Sequence, residues 1–295
     1  MADTCTDRET GSLKLLTPAK VNLTLEVLGC RADGYHEVRS VIQAVSLCDE
    51  LTIKESSADS FACDQPDWLA AESLVPRAVA SFRETTGVGR GVSIRLNKRI
   101  PLLSGLGGDS SDGAAVLRGL NRLWGTGLSR WHLVEIAQGL GSDVPFFLTG
   151  GTALAEGRGE VVTPLPTAPH MWLVLLVPPV TPVKGKTAQL YSRLGSSLYT
   201  DGQATDKLVE SLARGEVSPA SFFNVLEGVA AEVFEDLERW RWQLLEAGAY
   251  RVHLAGSGPS LFTVMPDKSQ AEKVYRALKQ KGLPAELLET LCPLE

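Results

Sequence analysis

Apolar and polar positions alternate through much of residues 14–28, with Val21 and Leu23 set against Lys20 and Asn22. A period of two predicts a half-buried β-strand. Similar alternating or wholly apolar runs predict further strands at residues 38–45, 47–53, 91–96, 171–177, 249–254, 261–264 and 285–288, and a strand that begins at residues 150–154. Between them, residues 29–35 are predicted as a turn and residues 55–65 as a loop.

A second pattern, with apolar residues spaced by three and four, predicts helices. It is clearest after Ala114, where Leu117, Leu120 and Trp124 share one face. The same spacing predicts helices at residues 69–83 (interrupted by Pro76), 129–140, 186–194, 221–246 and 269–281, whereas the polar residues 195–214 predict no clear element. Strands and helices mix in both halves, which predicts an α+β fold of two domains. The cluster of Pro164, Pro166 and Pro169 places the boundary between residues 1–164 and residues 165–295.

Composition narrows the classes of function. The chain has 295 residues, 44% of them hydrophobic, and a formal net charge of -6, so a broad nucleic-acid surface is not expected. Five scattered cysteines form no C-x-x-C pair and neither they nor the histidines show zinc spacing, which favours a reduced, cytoplasmic protein. Residues 1–12 are polar and are expected to fray, without a signal-peptide core. The longest apolar run, residues 171–180, is too short to cross a membrane.

The most informative stretch is the glycine-rich segment around Gly105, Gly107 and Gly108, which leads into the helix predicted from Ala114. Ser110, Ser111 or Asp112 is a suitable cap for that helix. A glycine loop at a helix N-terminus binds anions, because unpaired N–H groups and the helix dipole point the same way. The spacing matches neither a P-loop nor a dinucleotide fingerprint. A phosphate site is favoured, and a plain glycine-rich turn remains the alternative.

The segment resembles the phosphate loop of the GHMP kinases, which follows the pattern Pro-x-x-x-Gly-Leu-Gly-x-x-Ser-Ser. The matching residues are Pro101, Gly105, Leu106, Gly107, Ser110 and Ser111. Four other segments resemble motifs of the same family, at residues 18–25, 31–37, 141–147 and 255–260. Residues 31–37 and 141–147 are most similar to family members that act on 4-diphosphocytidyl-2-C-methyl-D-erythritol. The resemblance spans roughly residues 14–265.

This resemblance implies an N-terminal domain like domain 2 of ribosomal protein S5 and a ferredoxin-like C-terminal domain. The implied activity is phosphorylation of the 2-hydroxyl of 4-diphosphocytidyl-2-C-methyl-D-erythritol, with ATP and Mg²⁺, in the methylerythritol phosphate route to isoprenoids. One alternative is a GHMP kinase for another small alcohol, such as homoserine or mevalonate. Another is a catalytically silent nucleotide-binding relative. A monomer or weak homodimer is expected, with a small-molecule substrate and neither nucleic acid nor membrane as partner.

Three polar residues carry the implied chemistry. The resemblance makes Asp143 the catalytic base, and the alternative is a cap for the segment that Pro145 opens. It makes Lys20 the partner that keeps Asp143 ionised, and the alternative is an edge-strand lysine facing water. Asn22 lies two residues further on and shares the face of Lys20. It is expected to bind the substrate, with a strand-end amide as the alternative.

The resemblance also implies the binding residues. Those for the ATP phosphates are Pro101, Leu102, Leu103, Ser104, Gly105, Leu106, Gly107, Gly108, Asp109, Ser110 and Ser111. Mg²⁺ is expected through the phosphates, with Ser110 or Asp109 as a protein ligand. Tyr35 is expected to stack on the cytosine ring and His36 to bind its polar edge, whereas the alternative for both is packing over a hairpin end. Lys184 and Lys186 face either the diphosphate or solvent, and solvent is favoured.

The chain departs from the family pattern at three positions. Asp109 stands where a glycine is usual, Gly113 where an alanine is usual, and Ser73 where an asparagine is frequent. A carboxylate about 4 Å from a phosphate costs about 4 kcal/mol at an effective dielectric constant near 20. Asp109 is therefore expected to point away, to cap a helix, or to meet the phosphates through Mg²⁺.

Overall fold

The computed structural model describes residues 4–7, 11–180, 183 and 185–294. Its strands are β1 (Thr4–Asp7), β2 (Ser12–Asn22), β3 (Thr24–Cys30), β4 (His36–Ser56), β5 (Ser60–Cys63), β6 (Gly91–Asn97), β7 (Thr152–Gly157), β8 (Val161–Pro164), β9 (Trp172–Leu176), β10 (Phe223–Asn224), β11 (His253–Leu254), β12 (Leu261–Met265) and β13 (Ala285–Glu289). Its α-helices are α1 (Leu74–Thr86), α2 (Gly108–Trp124), α3 (Arg130–Leu140), α4 (Lys186–Arg193), α5 (Gln203–Ala213), α6 (Glu227–Ala230), α7 (Leu237–Glu246) and α8 (Lys268–Gln280). The α+β content predicted for both halves is confirmed.

The strands form two sheets. In the nine-stranded sheet, β4 is the central member and pairs antiparallel with β2, β3, β6 and β7. The four-stranded sheet has the order β11-β12-β9-β13 and is wholly antiparallel. The short strand β10 belongs to the second half of the chain, but it pairs parallel with β3 in the larger sheet. The proposed boundary at residues 164 and 165 stays a prediction.

Three apolar clusters hold these layers together. One packs α1, α2 and α3 on the nine-stranded sheet, and a second packs α8 and its neighbours on the four-stranded sheet. The third lies between the two sheets and joins Ala19 and Leu106 to Leu175, Ala255 and Phe262. The segment that carries Lys20 and the glycine segment are therefore fixed by core packing.

Several strand and helix predictions were wrong in their bounds. The two strands predicted at residues 38–45 and 47–53 are the single strand β4, because a shift of register between Pro18 and Ala19 lets β2 follow it without a break. Residues 14–28 form two strands, and residues 60–63 form a short strand inside the predicted loop. Residues 4–7, predicted to fray, pair with β2.

The helices also differ from their predictions. Helix α1 starts at Leu74 because the Ser73 hydroxyl caps it, and Pro76 then lies in the first turn, where proline is tolerated. Residues 221–246 are divided among β10, α6 and α7, and the polar stretch before Arg214 contains α5. Helix α2 starts at Gly108 with Gly107 as its cap residue, so Ser110, Ser111 and Asp112 lie inside the helix. Across the described ranges, no helix is long and apolar enough to span a bilayer.

Candidate active site

Lys20 and Asp143 form an ion pair between the sheet and the segment after α3. The Lys20 ammonium lies 3.4 Å from a carboxylate oxygen of Asp143, and their side chains are 6% and 35% exposed. Lys20 also donates to the side-chain oxygen of Asn22 at 2.8 Å, and the Asn22 amide donates to Ser40 at 2.7 Å. The pairing of Lys20 with Asp143 and the shared face of Lys20 and Asn22 are therefore as predicted.

The alternative placements of Lys20 and Asp143 find no support. Lys20 is buried in the interior of β2, so it is not a water-facing edge lysine. The short 3-10 helix after Asp143, Pro145–Leu148, has Val144 at its cap position and no side-chain cap. Asp143 is thus free of a capping bond and keeps one carboxylate edge partly open to solvent.

Two glycine-rich loops meet beside this pair. Gly105, Gly107 and Gly256 all have positive φ angles, of 87°, 75° and 55°. A Cβ on Gly105 would lie 2.5 Å from the carbonyl oxygen of Ala255, and one on Gly256 would lie 3.1 Å from the Lys20 ammonium. Glycine is needed here both for the backbone conformation and for this close approach. The predicted position of residues 255–260 beside the phosphate loop is observed.

The N-terminus of α2 presents free donors next to the loops. The first backbone hydrogen bond of the helix runs from the N–H of Ser111 to the carbonyl of Gly107 at 2.9 Å. The N–H groups of Gly108, Asp109 and Ser110 precede it, so they have no partner within the helix. These donors and the positive end of the helix dipole suit a phosphate group.

The remaining loop residues form its outer part. The Ser104 hydroxyl donates to the carbonyl of Pro101 at 2.7 Å and tightens the turn. Leu102 and Leu103 are exposed, and Leu103 holds a positive φ of 55° that is unusual for leucine. Leu106 is buried, and its carbonyl accepts the backbone N–H of Lys20 at 2.9 Å. This bond joins the phosphate loop directly to the strand that carries Lys20.

Asp109 points towards another helix. Its carboxylate accepts the Ser73 hydroxyl at 2.6 Å and the backbone N–H of Leu74 at 3.0 and 3.1 Å. Leu74 is the first residue of α1, so Asp109 satisfies a donor that has no partner within that helix. Gly113 lies at the same contact, where a Cβ would lie 3.2 Å from the Cβ of Leu74.

A buried ion network lies under the phosphate loop. The Lys98 ammonium donates to Asp49 at 2.5 Å and to Asp112 at 2.7 Å, and the Thr17 hydroxyl donates to Asp112 at 2.7 Å. Burial raises the pKa of Asp112 to about 6 against the effect of Lys98, and the Asp49 carboxylate adds to the increase. Burial lowers the pKa of Lys98, but the two carboxylates outweigh it and the net pKa is raised. This network ties β4, α2 and the start of the loop together.

Lys186 joins the site from the second half of the chain. It is 7% exposed, and its ammonium donates to the hydroxyl of Ser257 at 2.7 Å and to the Ser257 carbonyl at 3.1 Å. Burial and the Lys20 ammonium lower the pKa of Lys186 to about 8, although Asp143 acts in the opposite direction. The expectation that Lys186 faces solvent was wrong, because helix α4 begins against the second glycine loop. Lys184 lies outside the described residues.

Aromatic residues extend the site beyond Asp143. The ring of His36 lies 5.0 Å from that of Tyr191 and 6.0 Å from that of Tyr199. Burial, and then the Asp143 carboxylate, raise the pKa of Tyr191. Tyr35 is 54% exposed, with the Arg158 guanidinium 4.8 Å from the centre of its ring. Tyr35 is thus largely open to solvent, whereas His36 packs against two tyrosines from the second half of the chain.

Sequence reasoning missed Tyr191 and the ion network of Asp49, Lys98 and Asp112, and it favoured solvent for Lys186. A hint was present in Tyr191, an aromatic residue on the helix predicted at residues 186–194. Within the described part of the chain, no group of three or more His, Cys, Asp or Glu side chains is arranged to hold a metal ion. The geometry suits transfer between a phosphate at α2 and a hydroxyl at Asp143.

Comparisons with known proteins agree with this geometry. The model of the GHMP kinases N terminal domain matches residues 73–151, and that of the GHMP kinases C terminal matches residues 206–283. A 4-diphosphocytidyl-2-C-methyl-D-erythritol kinase of Dehalococcoides mccartyi is 56% identical over 283 residues, which cover 96% of this chain and 100% of the relative.

Two solved structures share the fold. A crystal structure of 4-(cytidine 5'-diphospho)-2C-methyl-D-erythritol kinase has a TM-score of 0.79 and 35% identity, covering 94% of this chain and 98% of the other. A homoserine kinase from Cytophaga hutchinsonii has a TM-score of 0.74 but only 22% identity, covering 96% of each chain. The second likeness shows the fold alone.

Proposed function

The chain belongs to the GHMP kinase family, and we propose that it transfers the γ-phosphoryl group of ATP to the 2-hydroxyl of 4-diphosphocytidyl-2-C-methyl-D-erythritol. The product then proceeds to isopentenyl diphosphate through the methylerythritol phosphate pathway. One observation carries the proposal: the ion pair of Lys20 and Asp143 faces two interlocked glycine loops and a helix N-terminus. A base and a phosphate site thus lie side by side.

The reaction needs one bond formed and one broken. The acceptor hydroxyl oxygen attacks the γ-phosphorus, the bond from that phosphorus to the β,γ-bridging oxygen breaks, and ADP leaves. Asp143 accepts the hydroxyl proton as the new bond forms. The Lys20 ammonium pairs with the Asp143 carboxylate and stabilises the negative charge that grows on the attacking oxygen. Asn22, held by Ser40, orients Lys20 and binds the acceptor.

ATP is bound through its phosphates at the loop of residues 101–111. The free N–H groups at the start of α2 bind phosphate oxygens, and residues 255–260 support the loop from the other side. A cavity of about 210 Å³, lined by Gln65 and residues 98–102, opens beside the loop and suits the adenine. Mg²⁺, when bound, neutralises phosphate charge. Ser110 would be its protein ligand, as a serine or threonine hydroxyl is in other phosphate loops, while both oxygens of Asp109 already accept hydrogen bonds.

The acceptor binds on the side of Asp143 that carries the aromatic residues. We assign the cytosine to Tyr35 and His36, with Tyr191 behind His36. Ring stacking stabilises a bound base by about 1–3 kcal/mol but does not distinguish one base from another. The polar edge of His36 therefore supplies the preference for cytosine. Homoserine and mevalonate have no aromatic ring that could bind to Tyr35 and His36, and this argues against them as acceptors.

The decisive experiment measures ADP release with a panel of three acceptors: 4-diphosphocytidyl-2-C-methyl-D-erythritol, homoserine and mevalonate. We expect ADP release with the first alone. The matched variant Asp143→Asn should keep its fold and its ATP affinity and lower turnover by roughly 10²–10⁴-fold, because it cannot accept the proton. No ADP release with any acceptor would favour a silent relative, and near-normal turnover in the variant would remove Asp143 from the mechanism.

We further propose that the enzyme works in the cytoplasm, as a monomer or weak homodimer. Its acidic net charge and scattered cysteines support that location. Among the described residues, the cysteines at positions 30, 48, 63 and 292 form no disulfide bond. Size-exclusion chromatography with light scattering at micromolar protein tests the assembly directly.

A further inference from the structure

Lys186 is an unusual lysine, because it is the first residue of α4 and yet almost completely buried. Lysine side chains at the start of a surface helix normally reach water, and they are unfavourable at the positive end of the helix dipole. Here the ammonium is turned inward and held by the hydroxyl and the carbonyl of Ser257. The positive charge at this point therefore lowers the stability of the fold.

The surroundings of Lys186 are short of negative charge. Among the described residues, the charged groups that shift the pKa of Lys186 are the Lys20 ammonium on β2, which lowers it, and the Asp143 carboxylate after α3, which raises it. Two ammonium groups thus share one carboxylate, which leaves one unit of positive charge in a largely buried place. Burying an unbalanced charge is costly. An anion entering beside Lys20 and Lys186 removes that imbalance.

We propose that Lys186 is a catalytic residue that binds the γ-phosphoryl group of ATP during its transfer. This inference rests on the proposed function, and the step is the same one, with no bond made or broken at Lys186. Its ammonium donates to non-bridging oxygens of the γ-phosphoryl group, opposite the N–H groups of α2. The γ-phosphoryl group is favoured over the acceptor's diphosphate because Ser257 belongs to the loop that packs on Gly105 of the phosphate loop.

The test compares Lys186→Met with the control Arg193→Gln. Both changes remove one positive charge from α4, but Arg193 is exposed and pairs with Glu232. Equilibrium binding of ADP and of the nonhydrolysable ATP analogue AMP-PNP is measured first. We expect Lys186→Met to weaken AMP-PNP at least about tenfold, as for a lost hydrogen bond to a charged group, and to leave ADP within about twofold. Arg193→Gln should change neither.

Kinetics provide an independent readout. In the wild type, kcat/KM should fall as pH rises above about 8, because the proposed contact needs the charged amine. Lys186→Met should lower kcat/KM about 10²-fold at pH 7 and lose that alkaline decline. Lys186→Arg, which keeps the charge, should recover part of the activity and shift the decline to higher pH.

Three results overturn the inference. If Lys186→Met weakens the binding of ADP and of AMP-PNP equally, Lys186 acts only by supporting residues 255–260. A rise in the KM of the acceptor, with AMP-PNP unaffected, assigns Lys186 to the acceptor's diphosphate. If the wild type is active and Lys186→Met changes neither its activity nor its nucleotide binding, Lys186 has no role in the site. If the wild type releases no ADP with any acceptor, the proposed function fails, and the two binding constants still decide the role of Lys186. Lys186→Gln replaces Lys186→Met if the latter does not fold.

Discussion

Replacing Asp109 by glycine, the usual family residue, tests whether a carboxylate in a phosphate loop acts on the fold or on the metal. In the structure, Asp109 caps the start of α1 through Ser73 and Leu74. It therefore acts as a second cap in addition to Ser73, whose hydroxyl accepts the N–H of Val75 at 3.2 Å. We expect Asp109→Gly to lower stability and to leave the use of Mg²⁺ unchanged.

The magnitude follows from the contacts that are lost. Removing a side chain that caps a helix costs about 0.5–2 kcal/mol. Placing glycine in the first turn of α2 adds up to about 1 kcal/mol. The free energy of unfolding should therefore fall by about 0.5–3 kcal/mol for Asp109→Gly. Asp109→Asn keeps an acceptor oxygen and the helix propensity, so its loss should be less than half as large.

The assay has two parts. Urea denaturation gives the free energy of unfolding for the wild type, Asp109→Gly and Asp109→Asn. A Mg²⁺ titration at saturating ATP gives the concentration for half-maximal rate in the same three proteins. Ser110→Ala serves as the control, because we expect loss of the proposed Mg²⁺ ligand to shift the titration to higher concentration.

The two parts separate the hypotheses. The capping role predicts a lower free energy of unfolding for Asp109→Gly and no change in the Mg²⁺ concentration for half-maximal rate. The reverse result, with unchanged stability and a clear shift to higher Mg²⁺, would refute the reasoning. In that case the carboxylate leaves α1 when ATP binds and holds the metal instead.

Two further predictions concern the acceptor and the buried network. Tyr35→Ala should raise the KM of the acceptor about tenfold or more, from the loss of stacking, with the KM of ATP unchanged; if only the ATP constant rises, the two nucleotide positions are reversed. For Asp112, whose pKa is raised to about 6, the neutral carboxyl favours the fold, so its stabilising effect is complete below about pH 4 and is lost as pH rises through about 6. Asp112→Asn should therefore be more stable than the wild type at pH 7.5, and this gain should shrink at pH 5 in urea denaturation. A gain that does not depend on pH would refute the assignment.

Local patterns predicted the parts of the site that are local. The glycine loop before a helix, the alternation around Lys20 and the short motif at Asp143 each lie within a few residues, and the structure brings all three together. Their relative placement depended on the family resemblance. The alternation by itself left Lys20 on a water-facing edge, because it does not show which strands will cover a given face.

Lys186 shows where such patterns fail. A charged residue at the start of an amphipathic helix is normally exposed, and nothing nearby in the sequence indicates otherwise. Its burial depends on Ser257, which lies on a loop far along the chain. Likewise, β4 was predicted as two strands because residues 46 and 47, which lie between the partners of Pro18 and Ala19, interrupt its alternation without ending the strand.

The three departures from the family pattern are one physical feature. Ser73, Asp109 and Gly113 all lie where the start of α1 meets the first turns of α2. Asp109 bonds to Ser73 and Leu74, and Gly113 leaves room for Leu74. Seen separately in the sequence, they are three unconnected departures from the family pattern. Together they form a close helix contact that holds the phosphate loop from behind.

The meeting of the two glycine loops has a consequence for how the protein folds. Gly105 and Gly256 lie about half the chain apart, and β10 carries the later half into the sheet of the earlier one. Contacts between distant segments form only after the intervening chain has lost much of its freedom, so they come after local helices and hairpins. The reaction centre is thus among the last features to form. We expect refolding molecules to regain secondary structure before activity, and neither half of the chain made alone to contain a complete reaction centre.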